Sequence, residues 1–137
     1  MKADQSSIFR HLEVLHLWCA ETFDNAPKNE VVREDVRILV QNIVQAQSAV
    51  TMALQVQMAR QRLELLDVVV LSMTNIKSVT KVLTAFSTNR ERGKHVIDKS
   101  ARIRLLDIMT QIGIELGRWR NKTLARAAQE EAAKISN

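Results

Sequence analysis

LELLDVVVLSM, Leu63–Met73, is the stretch whose reading decides the fold. Taken alone, Val68, Val69 and Val70 favour a strand, because β-branched side chains are stiff and fit a pleated surface. The continuation reverses that preference. Leu65, Val69, Ile76, Val79, Leu83 and Phe86 fall on one helical face, with Lys77 and Lys81 one turn apart elsewhere. A periodic run of this length predicts a buried helix over 62–86.

Upstream, Val32, Val36, Leu39, Ile43, Ala46, Val50 and Ala53 recur in alternating steps of three and four, which predicts a helix over 31–58. Only polar residues around Ala59 to Arg62 separate these two segments, with neither proline nor glycine. A short helix–helix connection is expected there, and one continuous helix is the alternative. Before them, Ile8, Leu12, Leu15, Cys19 and Thr22, widened by Trp18 and Phe23, predict a first helix over 6–23 that Ser6 and Ser7 can cap. DNAPKNE, Asp24–Glu30, interrupts the pattern, since Pro27 cannot continue a helix interior and biases Ala26 toward extended geometry.

Downstream, residues 87–95 form a polar interruption in which Thr88 and Glu91 match the S/T-x-x-E capping pattern. The last helix is expected over 98–130, capped by Asp98. Leu105, Ile108, Met109, Ile112, Leu116 and Trp119 mark its stripe, with Ile103, Leu106 and Ile114 outside the centre. One proline, three glycines and no tyrosine in 137 residues agree with long helices. The expected fold is all-α: one domain, residues 1–137, forming an antiparallel up-down four-helix bundle. The surplus apolar residues of the last helix argue for a second burial partner, and a homo-oligomer is the simplest one.

Charge is distributed unevenly. Residues 1–59 carry five Lys/Arg against seven Asp/Glu, whereas residues 60–137 carry fifteen against eight, for an overall +5. A basic half of this kind favours an anionic partner, RNA or DNA ahead of a membrane surface; a merely solvated basic surface is the alternative. The single cysteine, Cys19, permits no intrachain disulfide and no cysteine-rich zinc site. MKADQSSIFR lacks a long apolar run, and no stretch of about 20 apolar residues is evident, so a cytoplasmic protein without a membrane partner is expected.

GIELGRWRNK, Gly113–Lys122, places two glycines one turn apart inside a helix, where each costs about 1 kcal/mol relative to alanine. Close approach of another helix backbone is one reading, and a kinked or flexible helix is the other. Trp119 reads as a core anchor rather than a base-stacking ring. Gly113, Gly117 and Trp119 are therefore the expected packing and assembly residues. Beyond them, Arg118, Lys122 and Arg126 share one stripe, with Arg120 on another side. Flexible cations without local acids suit phosphate contact, although the helix dipole also favours basic residues near a C-terminus. A second basic region comprises Arg90, Arg92, Lys94 and His95, then Lys99, Arg102 and Arg104; Arg102 and Arg104 cannot face the same way. The candidate nucleic-acid-binding residues are Arg60, Arg62, Lys77, Lys81, Arg90, Arg92, Lys94, Arg102, Arg104, Arg118, Arg120, Lys122 and Arg126.

Catalytic signals are weak. His11 and His16 lie about 140° apart on a helical wheel, a poor metal pair, and Glu13 adds no ligand spacing. Cys19 reads as a small core residue. No glycine-rich phosphate loop, nucleophile elbow or metalloprotease motif occurs, nor the Glu-x-x-His pair of a bundle-core metal site. No catalytic residue, metal or cofactor is expected.

Several of these features carry a family likeness. A first helix with an internal tryptophan, the Pro27-Lys28 turn, RQRLELLDVV opening the third helix, and the closing IGIELGRW resemble the small four-helix bundle proteins. Those include the accessory variability determinant (Avd) of diversity-generating retroelements and the proteins encoded by intervening sequences in bacterial 23S rRNA genes. Avd is the nearer of the two, through the longer basic loop before the last helix and the L-G-x-W ending followed by basic residues. The likeness spans about residues 8–122. Ala26 stands where an aromatic residue often precedes Pro-Lys. The resemblance implies a homopentamer that performs no chemistry itself. Through a positive surface it would bind template RNA or cDNA and the retroelement's reverse transcriptase, supporting mutagenic cDNA synthesis and retrohoming. A structural bundle binding only protein is the competing expectation.

Overall fold

In the computed structural model, residues 3–23, 30–88 and 97–136 are described. They form four helices and, among the described residues, no strand: α1 Ala3–Phe23, α2 Glu30–Gln55, α3 Ala59–Thr88 and α4 Lys99–Ser136. The valine run Val68–Val70 is helical, so the long-range periodicity outweighs local β preference. Pro27 and residues 89–95 of the expected interruption, Glu91 included, lie outside the described residues, whereas Ser87 and Thr88 still belong to α3.

Each helix buries a stripe at helical spacing. In α1 these residues are Ile8, Leu12, Leu15, Trp18 and Cys19; in α2, Val32, Leu39, Ile43, Ala46, Val50 and Ala53. In α3 they include Leu66, Val69, Ile76 and Leu83, and in α4 Leu105, Ile108, Ile112, Leu116 and Trp119. Together they make one contiguous core. Val36, Leu65, Val79 and Met109 sit half-buried at its margin. The Ala59–Ala85 segment has the length and hydropathy of a membrane-crossing helix, where none is evident by inspection; here its apolar residues supply part of the bundle core.

Helix α1 packs on α2 and α4, and α3 on α2 and α4; among the described residues no Cα atoms of a diagonal pair come within 8 Å. The helices therefore follow one another around a ring, and the protein is a four-helix bundle. Paired residues rise along one helix as they fall along the next: Ser7 with Glu115 but Trp18 with Ala101; Ala53 with Arg62 but Asn42 with Asn75; Asp67 with Arg120 but Arg60 with Glu131.

The start of α4 is capped as the sequence predicts. Asp98 Oδ1 accepts the Ala101 N–H at 2.7 Å, and the Asp98 carbonyl accepts the Arg102 N–H at 3.0 Å. Trp18, fully buried, donates its indole N–H to the Ala101 carbonyl at 2.9 Å and packs edge-on against Phe23, tying the end of α1 to this first turn.

The corner between α2 and α3 corrects the expected connection. It lies at residues 56–58, so Ala59 to Arg62 already form the first turn of α3 and α2 ends before 58. The reason is a pair of side chains that satisfy helix ends without any turn-forming residue. Arg62 donates to the Ala53 and Val56 carbonyls at 2.9 and 2.8 Å, closing α2. Glu130, from α4, accepts the Ala59 N–H at 3.2 Å and opens α3. Helix α4 continues to Ser136, beyond the expected 130, which brings Glu131 within 3.3 Å of Arg60.

Candidate nucleic-acid interface and a flanking groove

The sequence-selected cations do not converge on one surface. Arg118, Lys122 and Arg126 are exposed along one side of α4. Lys122 follows Glu115 by seven residues, about 10 Å further along the same stripe. At Glu115 that stripe is covered by α1, through Ser7 Oγ at 3.0 Å and His11 Nε2 at 3.2 Å. Arg126 has Glu130 at 3.7 Å, and Arg104 has Glu21 at 3.6 Å on the α1 side. These exposed pairs contribute little stability and leave the guanidinium groups accessible.

At the α2–α3 corner, Arg60 faces Glu131, while Arg62 is committed to backbone carbonyls and acts as a helix cap. A third set lies between α3 and α4: Lys77 exposed on α3, Arg102 exposed on α4, and Arg120 paired with Asp67 at 3.0 Å; Lys81 is exposed on α3 outside that set. Arg90, Arg92 and Lys94, with His95, lie outside the described residues.

Between α3 and α4 runs a groove of about 610 Å³. Met73, Met109, Leu105, Leu116 and Leu106 supply its apolar surface, and Lys77, Arg102 and Arg120 its charge. Gly113 and Gly117 lie in the same wall, exposed, and a Cβ added at either would meet nothing within 4 Å. The close helix approach read from the glycine spacing is therefore not made among the described residues. Trp119 is 4% exposed, as expected for a core anchor, and among the described residues its indole N–H has no partner.

The groove was missed as a unit in the sequence, although its signal is present. Arg102, Leu106, Met109, Gly113, Gly117 and Arg120 form a second seam on α4 at steps of four, three, four, four and three. The Ser7–His11–Glu115 cluster was also missed, because it joins residues more than a hundred positions apart. Among the described residues, no three His, Cys, Asp or Glu side chains gather where they could hold a metal ion. Cys19 is buried, and desolvation pushes its thiol from 9.0 up to about 11, so it is neutral at physiological pH and a poor nucleophile.

Comparison with protein-family models, curated proteins and solved structures returns no match. The class defined on structural grounds is a four-helix bundle carrying an exposed basic stripe on α4 and an apolar groove between α3 and α4.

Proposed function

We propose that this chain is a non-enzymatic, nucleic-acid-binding accessory protein of a reverse transcriptase, of the kind its resemblance to Avd implies. The observation that carries the binding half of this reading is the Arg118–Lys122–Arg126 stripe, exposed on α4 past the point where α1 covers it. Three cations at intervals of one turn span about 12 Å, comparable with a few successive phosphates. The retroelement setting rests on the family resemblance. In it the protein holds template RNA or cDNA beside the polymerase in the cytoplasm and supports mutagenic cDNA synthesis and retrohoming.

The same reading takes the bundle as antiparallel and up-down, supported by the opposite running order of residues paired between neighbouring helices. It takes the assembly as a homopentamer. Exposed Ile103 and Ile114 on α4, at 61% and 45%, supply apolar surface outside the groove for such contacts.

RNA affinity is expected to fall with salt by a slope of roughly 0.7 to 0.9 per phosphate neutralised. Substituting Arg118, Lys122 and Arg126 with glutamate abolishes RNA retention at moderate salt and leaves the helical circular dichroism intact. Salt-independent binding, or no binding at low salt, sinks the reading.

A second reading, a bundle that binds only protein, is favoured by the apolar groove. Under it neither protein retains RNA, and the glutamate variant differs from the wild type in polymerase pull-down alone.

A further inference from the structure

The geometry points to the α3/α4 groove as a docking site for an amphipathic helix of a partner protein, apolar on one face and acidic along its flanks. This goes beyond the nucleic-acid reading and does not depend on it.

Dimensions argue for a helix. Along α4 the groove runs from Arg102 to Arg120, and along α3 from Val70 to Thr84. At 1.5 Å per residue those walls are about 27 and 21 Å long. A trough of that length takes some four to five turns of helix. Gly113 and Gly117 stand midway to one end with open space over their α-carbons, so a guest backbone can approach the wall closely there. Met73 and Met109 supply flexible, polarizable surface that adapts to the guest's side chains.

Chemistry argues against a nucleic acid in this position. The threonines that line the groove have their hydroxyls engaged with their own helices: Thr74 with the Val70 carbonyl, Thr80 with Lys77, Thr84 with Thr80 and Thr110 with Leu106, all at 2.7 to 3.0 Å. The floor thus offers few free donors to bases or sugars and presents mainly apolar surface.

Charge selects the flank. Among the described residues, every ionisable side chain lining the groove is basic: Lys77, Arg102 and Arg120. Arg120 pairs with Asp67, but among the described residues Lys77 and Arg102 have no ion-pair partner. The three are spread along the trough, with Arg102 near one end, Lys77 along the opposite wall and Arg120 near the other end. A guest with glutamates beside its apolar stripe meets a cation at each stage, and a basic helix meets repulsion.

The test uses the full-length protein and a synthetic fluorescein-labelled peptide of about 19 residues, five helical turns, with leucines at helical three- and four-residue spacing and glutamates on both flanks. A companion peptide carries lysine in place of every glutamate. Fluorescence anisotropy is expected to show saturable micromolar binding of the acidic peptide and at least about tenfold weaker binding of the basic one. Lys77→Glu with Arg102→Glu reverses that order, and circular dichroism confirms that the variant is folded. Gly113→Leu with Gly117→Leu, which fills the trough without changing charge, abolishes binding of both peptides.

Equal binding of both peptides, no saturable binding in the micromolar range, or an unchanged order in the charge-reversed variant overturns the proposal. Displacement of the bound acidic peptide by a single-stranded RNA homopolymer assigns the groove to nucleic acid and overturns it as well. So does a sedimentation mass that falls to the monomer in the charge-reversed protein while excess acidic peptide leaves the wild-type mass unchanged, because a second copy is then the occupant.

Discussion

Cys19 shows how far one buried residue can be read from spacing alone. It falls on the apolar stripe of α1 and is 1% exposed. Burial disfavours its thiolate, raising the thiol to about 11. The folded chain therefore prefers the neutral thiol. That preference costs nothing below pH 9, where the unfolded thiol is also neutral, and it erodes stability as the pH rises from 9 toward 11. Chemical denaturation across this window is expected to show a steeper decline for the wild type than for Cys19→Ala, once their different values at pH 7 are normalised. The thiol is also expected to react with an aromatic disulfide reagent only on unfolding; prompt labelling of the native protein contradicts its burial. By contrast, Arg62 shows a limit of residue-level reading. Composition puts it among the cations available to phosphate, but its guanidinium is occupied by the Ala53 and Val56 carbonyls, and no local pattern announces this.

At the level of elements, the four helices and the Asp98 cap were legible because their signals are local: three- and four-residue spacing, and an acid immediately before a periodic run. The α2–α3 corner was legible as an event but not as a place. Its position depends on Arg62 and on Glu130, which is 71 residues from the amide it accepts. Arg62→Met is expected to lower stability by about 1–2 kcal/mol through loss of charged hydrogen bonds to helix-end carbonyls, and Glu130→Gln by less, with both read from urea midpoints. A neutral result for Arg62→Met means that water replaces the cap without cost. The glycines of α4 were legible as an anomaly, but spacing cannot distinguish a tightly packed wall from an open one. Since a Cβ meets nothing at either position, Gly113→Ala and Gly117→Ala are each expected to raise the stability of the protomer by up to about 1 kcal/mol. Destabilisation of a monomeric sample contradicts the open groove.

Across the whole molecule, basic character proves to be partitioned. The sequence reads as one positive half, whereas the bundle directs Arg118, Lys122 and Arg126 along one side of α4, Lys77, Arg102 and Arg120 to the groove, and Arg62 into the corner. Helical periodicity separates Arg120 from the Arg118 stripe but cannot say which stripe is covered, because the ring order of the helices decides that. Sedimentation equilibrium is expected to give about five times the protomer mass under the pentamer reading. A monomer at micromolar concentration contradicts it. If the glycine wall lies in that assembly interface, the alanine substitutions that stabilise the protomer reduce the sedimented mass; if it serves only a foreign helix, they do not.

The grip of Glu130 on the Ala59 amide also has a consequence for synthesis on the ribosome. Helices α2 and α3 emerge well before α4, and at about 5–20 residues per second the carboxylate is made some 4 to 14 seconds after the amide it will hold. Through that interval the nascent hairpin has an unsealed corner and a core side without its fourth wall, so protection of this hinge from a co-translational protease marks the arrival of the last helix.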